Sequence, residues 1–516
     1  MQVYTVENRE ETLRRVSNFL FDLFSSCLGP SGKRKLMKKK VKRSKVTKTR
    51  ATCDGLSIVK HILQKSEDPV ISFVLKSLLE QGNTMKDGVC TTALLVAEML
   101  SECCILLERK MHPIRISTFF KLALHKASKI FSENTKEIEE EEISQIISNS
   151  FKLSPTVTWK EKEKLSKYCL MIKEKFPYCE KEEVLKKVTF VKEIDIFSKF
   201  SDCEFLEGII FERESGFTEP NVVLDNSSPI KLIVVSQEIC FPKIKTKHSL
   251  NMEGMQAEEM MNIEEKYAAE LVSKVLEWKV KVIFCQWKID SKISKYFSEK
   301  GVHCLSWISG DLLEKIALAS GANICSDLLS IREKHVREVS SFSFDKFENK
   351  FRLRVETCSE EKELGMVTFL VRGKSENECH EFKENIKKGI CVSIEERNSL
   401  YTKGKGFCHF HFRLYEAVRA SLMKDRVDHV CQEEVMVKWA NSLLVIPRTI
   451  LANKKMGGKS IERIKRINQG KDSADKDEVF EGIFSQEFPL TFEQAKTTFH
   501  AIRMATETVC MLLKVD

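Results

Sequence analysis

Residues 84–100 read TMKDGVCTTALLVAEML: an aspartate, a glycine and a short polar step stand directly before an apolar helix. Backbone N–H groups and the helix dipole at such an N-terminus attract an anion, phosphate above all. A carboxylate at the same place repels that phosphate unless a divalent cation lies between them. Asp87 in this position therefore suits a nucleotide held with magnesium. An Asp-Gly turn that caps a buried helix produces the same pattern with no ligand, and the stretch alone does not separate the two readings.

Other stretches carry turn chemistry of the same kind. LGPSGKRKLM (residues 28–37), CDG (53–55) and KGKGF (403–407) are further glycine-bearing stretches of the kind that form tight turns. HPIR (112–115) follows in the same first quarter of the chain. Cys408, His409 and His411 lie close together, but no second Cys or His cluster accompanies them, so a structural metal site is not expected there.

Helices must position most of these groups. Leu13, Val16, Leu20, Leu23, Phe24 and Cys27 follow helical spacing, and LGPSG stops that helix. Further helices are expected over residues 68–79, 91–107 and 114–131. The acidic run KEIEEEEIS (136–144) reads as a solvated helix start or linker. The middle of the chain differs: IKLIVV (230–235), VKVIFC (280–285) and VHCLSW (302–307) are short β-rich runs separated by helical segments. Asp290 or Ser291 caps the second of these helices and Ser309 the third, and Gly301 and Gly321 end them. Strand alternating with helix implies a parallel α/β layer. No glycine fingerprint follows its first strand, which excludes a dinucleotide site there. After GMVTFLVRG (365–373) the chain returns to helices, so an α/β domain is expected to be inserted into a helical one.

With 516 residues, 42% apolar and 31% charged, the chain suits a multi-domain globular protein, and no continuous apolar run reaches membrane-spanning length. The start lacks the basic-then-apolar order of an export signal, and the 18 cysteines form no CxxC pair, so a reducing, cytoplasmic setting is expected. Net charge is a modest +9. Residues 33–50 hold eleven Lys or Arg and no acid; without interleaved aromatics the run reads as a solvated hairpin or inter-subunit face rather than a nucleic-acid site. Met252, Met255, Met260 and Met261 crowd one segment, and methionines adapt to irregular apolar partners or simply pack.

Taken in order, LGPSGKRKLM, CDG, KDGVCTT and HPIR resemble the group II chaperonins, in particular the eukaryotic cytosolic ring TRiC, whose corresponding stretches read LGPxGxxKxx, NDGAT, GDGTT and HPxxI. The resemblance extends through residues 289–322, LVRG and the ending AIRMATETVCMLLKVD. That ending and LEGIIFERESG (206–216) look most like the theta subunit, while NSLLVIPRTILA (441–452) suits theta or zeta equally.

The resemblance implies a multi-domain α and α/β chaperonin fold: a helical equatorial domain (1–132 and 393–516), a small α/β intermediate domain (133–203 and 359–392) and an inserted α/β apical domain for clients (204–358). It implies ATP and Mg2+ as cofactors, with Asp87 as the metal ligand. Leu28, Gly29, Pro30, Gly32, Asp54, Gly55, Gly88, Thr91, Thr92, Gly404, Gly406, Gly470 and Asp472 match nucleotide-side positions. It also implies other ring subunits and unfolded proteins as partners, and a lid near the methionine-rich segment, with no membrane and no nucleic acid.

The chain departs from the family in places. Cys53 replaces an asparagine, KDGVC replaces GDGTT, and Lys405 stands in a glycine triplet. Lys388 stands where the family has the aspartate that activates water; an ammonium is no general base at neutral pH, and it suits the γ-phosphate of unhydrolysed ATP instead. Glu384 is the substitute base if there is one, although a surface pair of Glu384 with Lys388 at i,i+4 accounts for both residues. Weak or absent hydrolysis is the expectation.

Overall fold

The computed structural model describes every residue except 1–8, 30–31, 41–46, 134–139, 152–157, 196–202, 215–229, 242–256, 348–349, 358–364, 396–400, 406–408, 425–429, 455–489 and 516. The chain divides into two compact units, Met1–Leu170 with His380–Asp516, and Met171–Cys379.

The first unit opens with α1 (Arg9–Phe24), which buries Leu13, Val16, Leu20 and Phe24 at the expected spacing. A 3-10 turn, Ser25–Cys27, ends it. The cationic run then forms the antiparallel hairpin of β1 (Lys35–Lys40) and β2 (Thr47–Thr52). Arg34 binds Glu381 at 2.7 Å and Arg50 lies 2.7 Å from His380 Nδ1, so two cations of the run are engaged within the unit.

Helices α2 (Gly55–Leu63), α3 (Pro69–Met85), α4 (Val89–Glu108), α5 (Pro113–Glu133), α6 (Glu140–Ser150) and α7 (Trp159–Lys175) follow. Asp68 caps α3 by accepting from the N–H groups of Val70 and Ile71, and Pro69 takes the first helical position, where no N–H is needed. Helix α4 is buried on nearly every side. Val89–Glu108 and Cys431–Asn453 are long and apolar enough to cross a bilayer, a length the continuous-run criterion passed over; both are mostly buried, and their residues belong to the core of this unit.

The second unit comprises α8 (Lys181–Lys187), β3 (Val188–Ile194), β4 (Glu204–Glu214), β5 (Ile230–Val235), α9 (Ala257–Glu277), β6 (Val282–Cys285), α10 (Ser291–Glu299), β7 (His303–Leu305), α11 (Gly310–Ser320), β8 (Val336–Phe347), β9 (Lys350–Thr357) and β10 (Val367–Gly373). Its sheet has eight strands in the order β3-β10-β4-β9-β8-β5-β6-β7. Strands β5, β6 and β7 are parallel neighbours, as expected, whereas β4, β9 and β8 run antiparallel and make the sheet mixed.

Alternation along β5 explains why both sheet faces are covered. Leu232 and Val234 pack with Leu313 and Ile316 of α11, while Ile233 and Val235 pack with Leu271 and Val275 of α9 and Ile293 and Phe297 of α10. Asp290 caps α10 through Lys292 N–H, and Gly321 ends α11 in the left-handed region. Ser309 precedes α11 but its hydroxyl makes no capping bond.

The chain then re-enters the first unit through α12 (Glu376–Glu395), β11 (Tyr401–Lys405), α13 (His409–Lys424), α14 (Val430–Ser442), α15 (Val445–Asn453), β12 (Leu490–Gln494) and α16 (Ala495–Leu512). Strands β11 and β12 pair antiparallel, with Gly404 opposite Thr491. One apolar core joins α1, α4 and α5 to α13, α14, α15 and α16, so both ends of the chain build it together. Met260 and Met261 lie in the first turn of α9, and Met252 and Met255 fall outside the described residues.

Candidate functional site

Asp87 sits between two left-handed residues, Lys86 (φ 57°), which ends α3, and Gly88 (φ 81°), which precedes α4. A side chain at Gly88 would approach Gln81 Nε2 to 2.9 Å and Thr497 Cγ2 to 3.5 Å. The fully buried Gln81 fastens this turn: its Nε2 donates to the Asp87 carbonyl at 3.1 Å. Its Oε1 lies 2.6 Å from His500 Nδ1, which must therefore be the N–H bearing nitrogen. Burial holds the His500 pKa below its ordinary value, consistent with a neutral ring in this role. Gln81 and His500 are 419 positions apart, and the sequence reading missed both; nothing local marked either one.

The CDG turn meets the same end of α4. Asp54 caps α2, its Oδ2 accepting from Ser57 N–H at 2.9 Å and Ser57 Oγ at 2.6 Å. A side chain at Gly55 would meet Cys90 Sγ at 2.8 Å and Val89 Cβ at 3.0 Å, so the absence of one lets the CDG turn close on the first residues of α4. Thr92 is fully buried and its hydroxyl donates to Gly88 O at 2.9 Å, which makes it part of the turn's frame. Thr91 is half-buried one residue before it.

Leu28 is buried, and Gly29 has φ +83° against Ile450. Asn453, at the end of α15, donates to both Ser25 O (2.8 Å) and Leu28 O (2.9 Å), clasping the LGPSG turn from the far half of the sequence. Gly404 lies in β11 on the pair of strands that leads into α16. Pro30, Gly406, Gly470 and Asp472 lie outside the described residues.

Lys388, on α12, does not pair with Glu384. Its Nζ lies 2.8 Å from Asp87 Oδ2, and Glu384 binds Lys387 at 3.2 Å instead. Helix packing sets this choice: Gly389 is pressed so closely on Phe151 that a Cβ there would come within 2.6 Å of the ring, and Ser393 Oγ donates to Cys169 O. That rotation turns Lys388 inward, where its side chain is only 10% exposed. The glycine turns at residues 29, 32 and 88 fit the close backbone approach that a polyphosphate requires. The charge at Asp87 does not fit Mg2+, because an ammonium 2.8 Å from Oδ2 already balances the carboxylate expected to hold the metal.

Among the described residues no cluster of metal-ligating groups occurs. His411 is fully buried, its Nδ1 has no hydrogen-bond partner among the described residues, and burial drives its pKa from 6.5 down to about 3. Between those values the unfolded chain binds a proton that the folded chain refuses, so stability falls as pH is lowered through this window. The expected slope is about 1.4 kcal/mol per pH unit below 6.5. Urea titrations from pH 7 to pH 5 should show His411→Leu losing that share of the pH dependence; equal slopes in both proteins would refute the assignment.

An α/β domain inserted into a helical one, with an aspartate turn gripped by both chain ends, is the architecture of a chaperonin. The chain belongs to the TCP-1/cpn60 chaperonin family, whose model matches residues 20–516. It is 24% identical to the T-complex protein 1 subunit epsilon of Encephalitozoon cuniculi, over 98% of this chain and 92% of that one. It is 25% identical to the thermosome subunit of Methanopyrus kandleri (95% and 88% covered) and 22% identical to the thermosome subunit alpha of Thermoplasma acidophilum (99% and 91%).

Proposed function

We propose that the chain is one subunit of an ATP-dependent, hetero-oligomeric chaperonin double ring of the cytosol that encloses and folds unfolded client proteins, cytoskeletal proteins among them. The observation that carries this reading is the Asp87 turn, assembled by Gln81 from one end of the chain and His500 and Lys388 from the other. Residues 1–132 and 393–516 are then the equatorial ATP-binding domain, 133–203 and 359–392 the intermediate domain, and 204–358 the client-binding apical domain. ATP rests on the turns at Gly29, Gly32, Asp54, Gly55 and Gly88, with Thr91 and Gly404 nearby. Lys388 in place of an acidic base leaves hydrolysis weak, and Glu384, engaged with Lys387, is poorly placed to supply it. Relatives named as T-complex protein 1 and thermosome subunits, similar along almost the whole chain, support the ring; the ending favours a theta-like subunit.

A second reading is favoured by the same ion pair: a chaperonin-like scaffold outside any ring, with little dependence on ATP. The native mass of the tagged protein purified from cells that make it decides between them. A particle of many subunits, with other chaperonin chains identified in it, is expected; a monomer would overturn the ring and support the scaffold.

A further inference from the structure

We propose that Lys388 is a built-in counter-ion that stands in for a divalent cation, so that this chain binds ATP as the metal-free polyanion. The inference rests on the ATP-binding reading and goes beyond it.

Two independent scaffolds hold the pair. Asp87 is fixed by the left-handed residues on either side and by Gln81, itself bonded to His500. Lys388 is fixed by α12, whose neighbouring Ile386 and Ile390 are fully buried and whose Gly389 is wedged against Phe151 and Cys169. A mobile surface pair makes and breaks freely, but an ion pair anchored on both sides, with the lysine 10% and the aspartate 31% exposed, is part of the frame. Its ammonium lies 2.8 Å from Asp87 Oδ2. Magnesium demands near-octahedral oxygen ligands at about 2.1 Å and keeps several waters, so it cannot share that oxygen with a cation already seated there.

The electrostatic problem set by the sequence, an aspartate where phosphate should bind, is thereby solved within the chain. The lysine neutralises the carboxylate and leaves the N-terminus of α4, with its positive end, facing an anion. No charge is left for the metal to balance at this point.

Calorimetric titration of the full chain with ATP, in excess Mg2+ and again in excess EDTA, tests this. The dissociation constant should differ by less than about threefold between the two media, since Asp87, the expected ligand of the metal, is already paired with Lys388. Lys388→Asp places two carboxylates face to face and should make binding strictly dependent on Mg2+, weakening it by more than about tenfold in EDTA. Lys388→Arg keeps the charge and should retain metal-free binding, which separates charge from misfolding. If wild-type binding disappears in EDTA but is normal in Mg2+, the counter-ion role is overturned and ATP binding stands. If no binding occurs in either medium, both this inference and the ATP-binding reading fail.

Discussion

Trp439→Ala should lower the stability of the first unit by about 3–5 kcal/mol, the range for removing a large aromatic from a packed core. Among the described residues Trp439 is the largest fully buried side chain, and its Nε1 donates to Thr506 Oγ1 at 3.0 Å. It joins α14 to α16, and Thr506 in turn donates to Ile502 O, so the cavity would open between the last helix and the rest of the core. Trp439→Phe keeps most of the volume and loses the N–H donor, for which about 1–2 kcal/mol is expected. The second unit has separate apolar clusters on its two sheet faces, and none of them includes Trp439. Differential scanning calorimetry should therefore show one transition falling by roughly 5–8 °C and another unmoved. If both fall together, the two cores are energetically one, and the division of the chain into units has no thermodynamic meaning.

How much of this the sequence discloses depends on whether the cause is local. Caps and stops are local, and Asp68, Asp290 and Gly321 act where their types say. The parallel strands β5 and β6 were legible because burial on both faces makes them almost continuously apolar, whereas β7 is a half-buried edge strand. Strands β8 and β9, VREVSSFSFDKF and KFRLRVET, were not, because their polar and charged residues mask an antiparallel pair. Helix α3 runs to Met85, beyond the expected end at Leu79, because Gln81 and Gly82 face inward: Gln81 bonds the Asp87 turn, and Gly82 fits against Leu56 and Val89. The turn before α4 was readable from Asp87 and Gly88. Its ion pair was not, since helical spacing offers Glu384 to Lys388 and only the packing of Gly389 shows that Lys388 turns the other way.

Gly32→Ala is expected to cost about 2–3 kcal/mol and to weaken ATP binding by more than about tenfold, because the turn cannot form around a methyl group. A Cβ at Gly32 would lie 2.4 Å from Cys27 O and 2.8 Å from Cys27 C, contacts with backbone that no rotamer change relieves. The turn is closed by its own bonds, Gly32 N–H to Gly29 O at 3.1 Å and Lys33 N–H to Ser26 O at 2.6 Å, and Asn453 holds it from outside. Opening it would displace the Gly29 backbone from its seat on Ile450 while the core stays packed, and on the ATP-binding reading that withdraws the turn from the phosphates. Gly301→Ala supplies the comparison: its φ is +75° but nothing lies within 4 Å, so only backbone strain of about 1 kcal/mol applies, in the other unit. Thermal melts and ATP titrations of the two variants separate strain from function. Loss of affinity in Gly32→Ala alone ties the LGPSG turn to the nucleotide; unchanged affinity in a folded Gly32→Ala would remove that turn from the site and leave the nucleotide to the Asp87 turn.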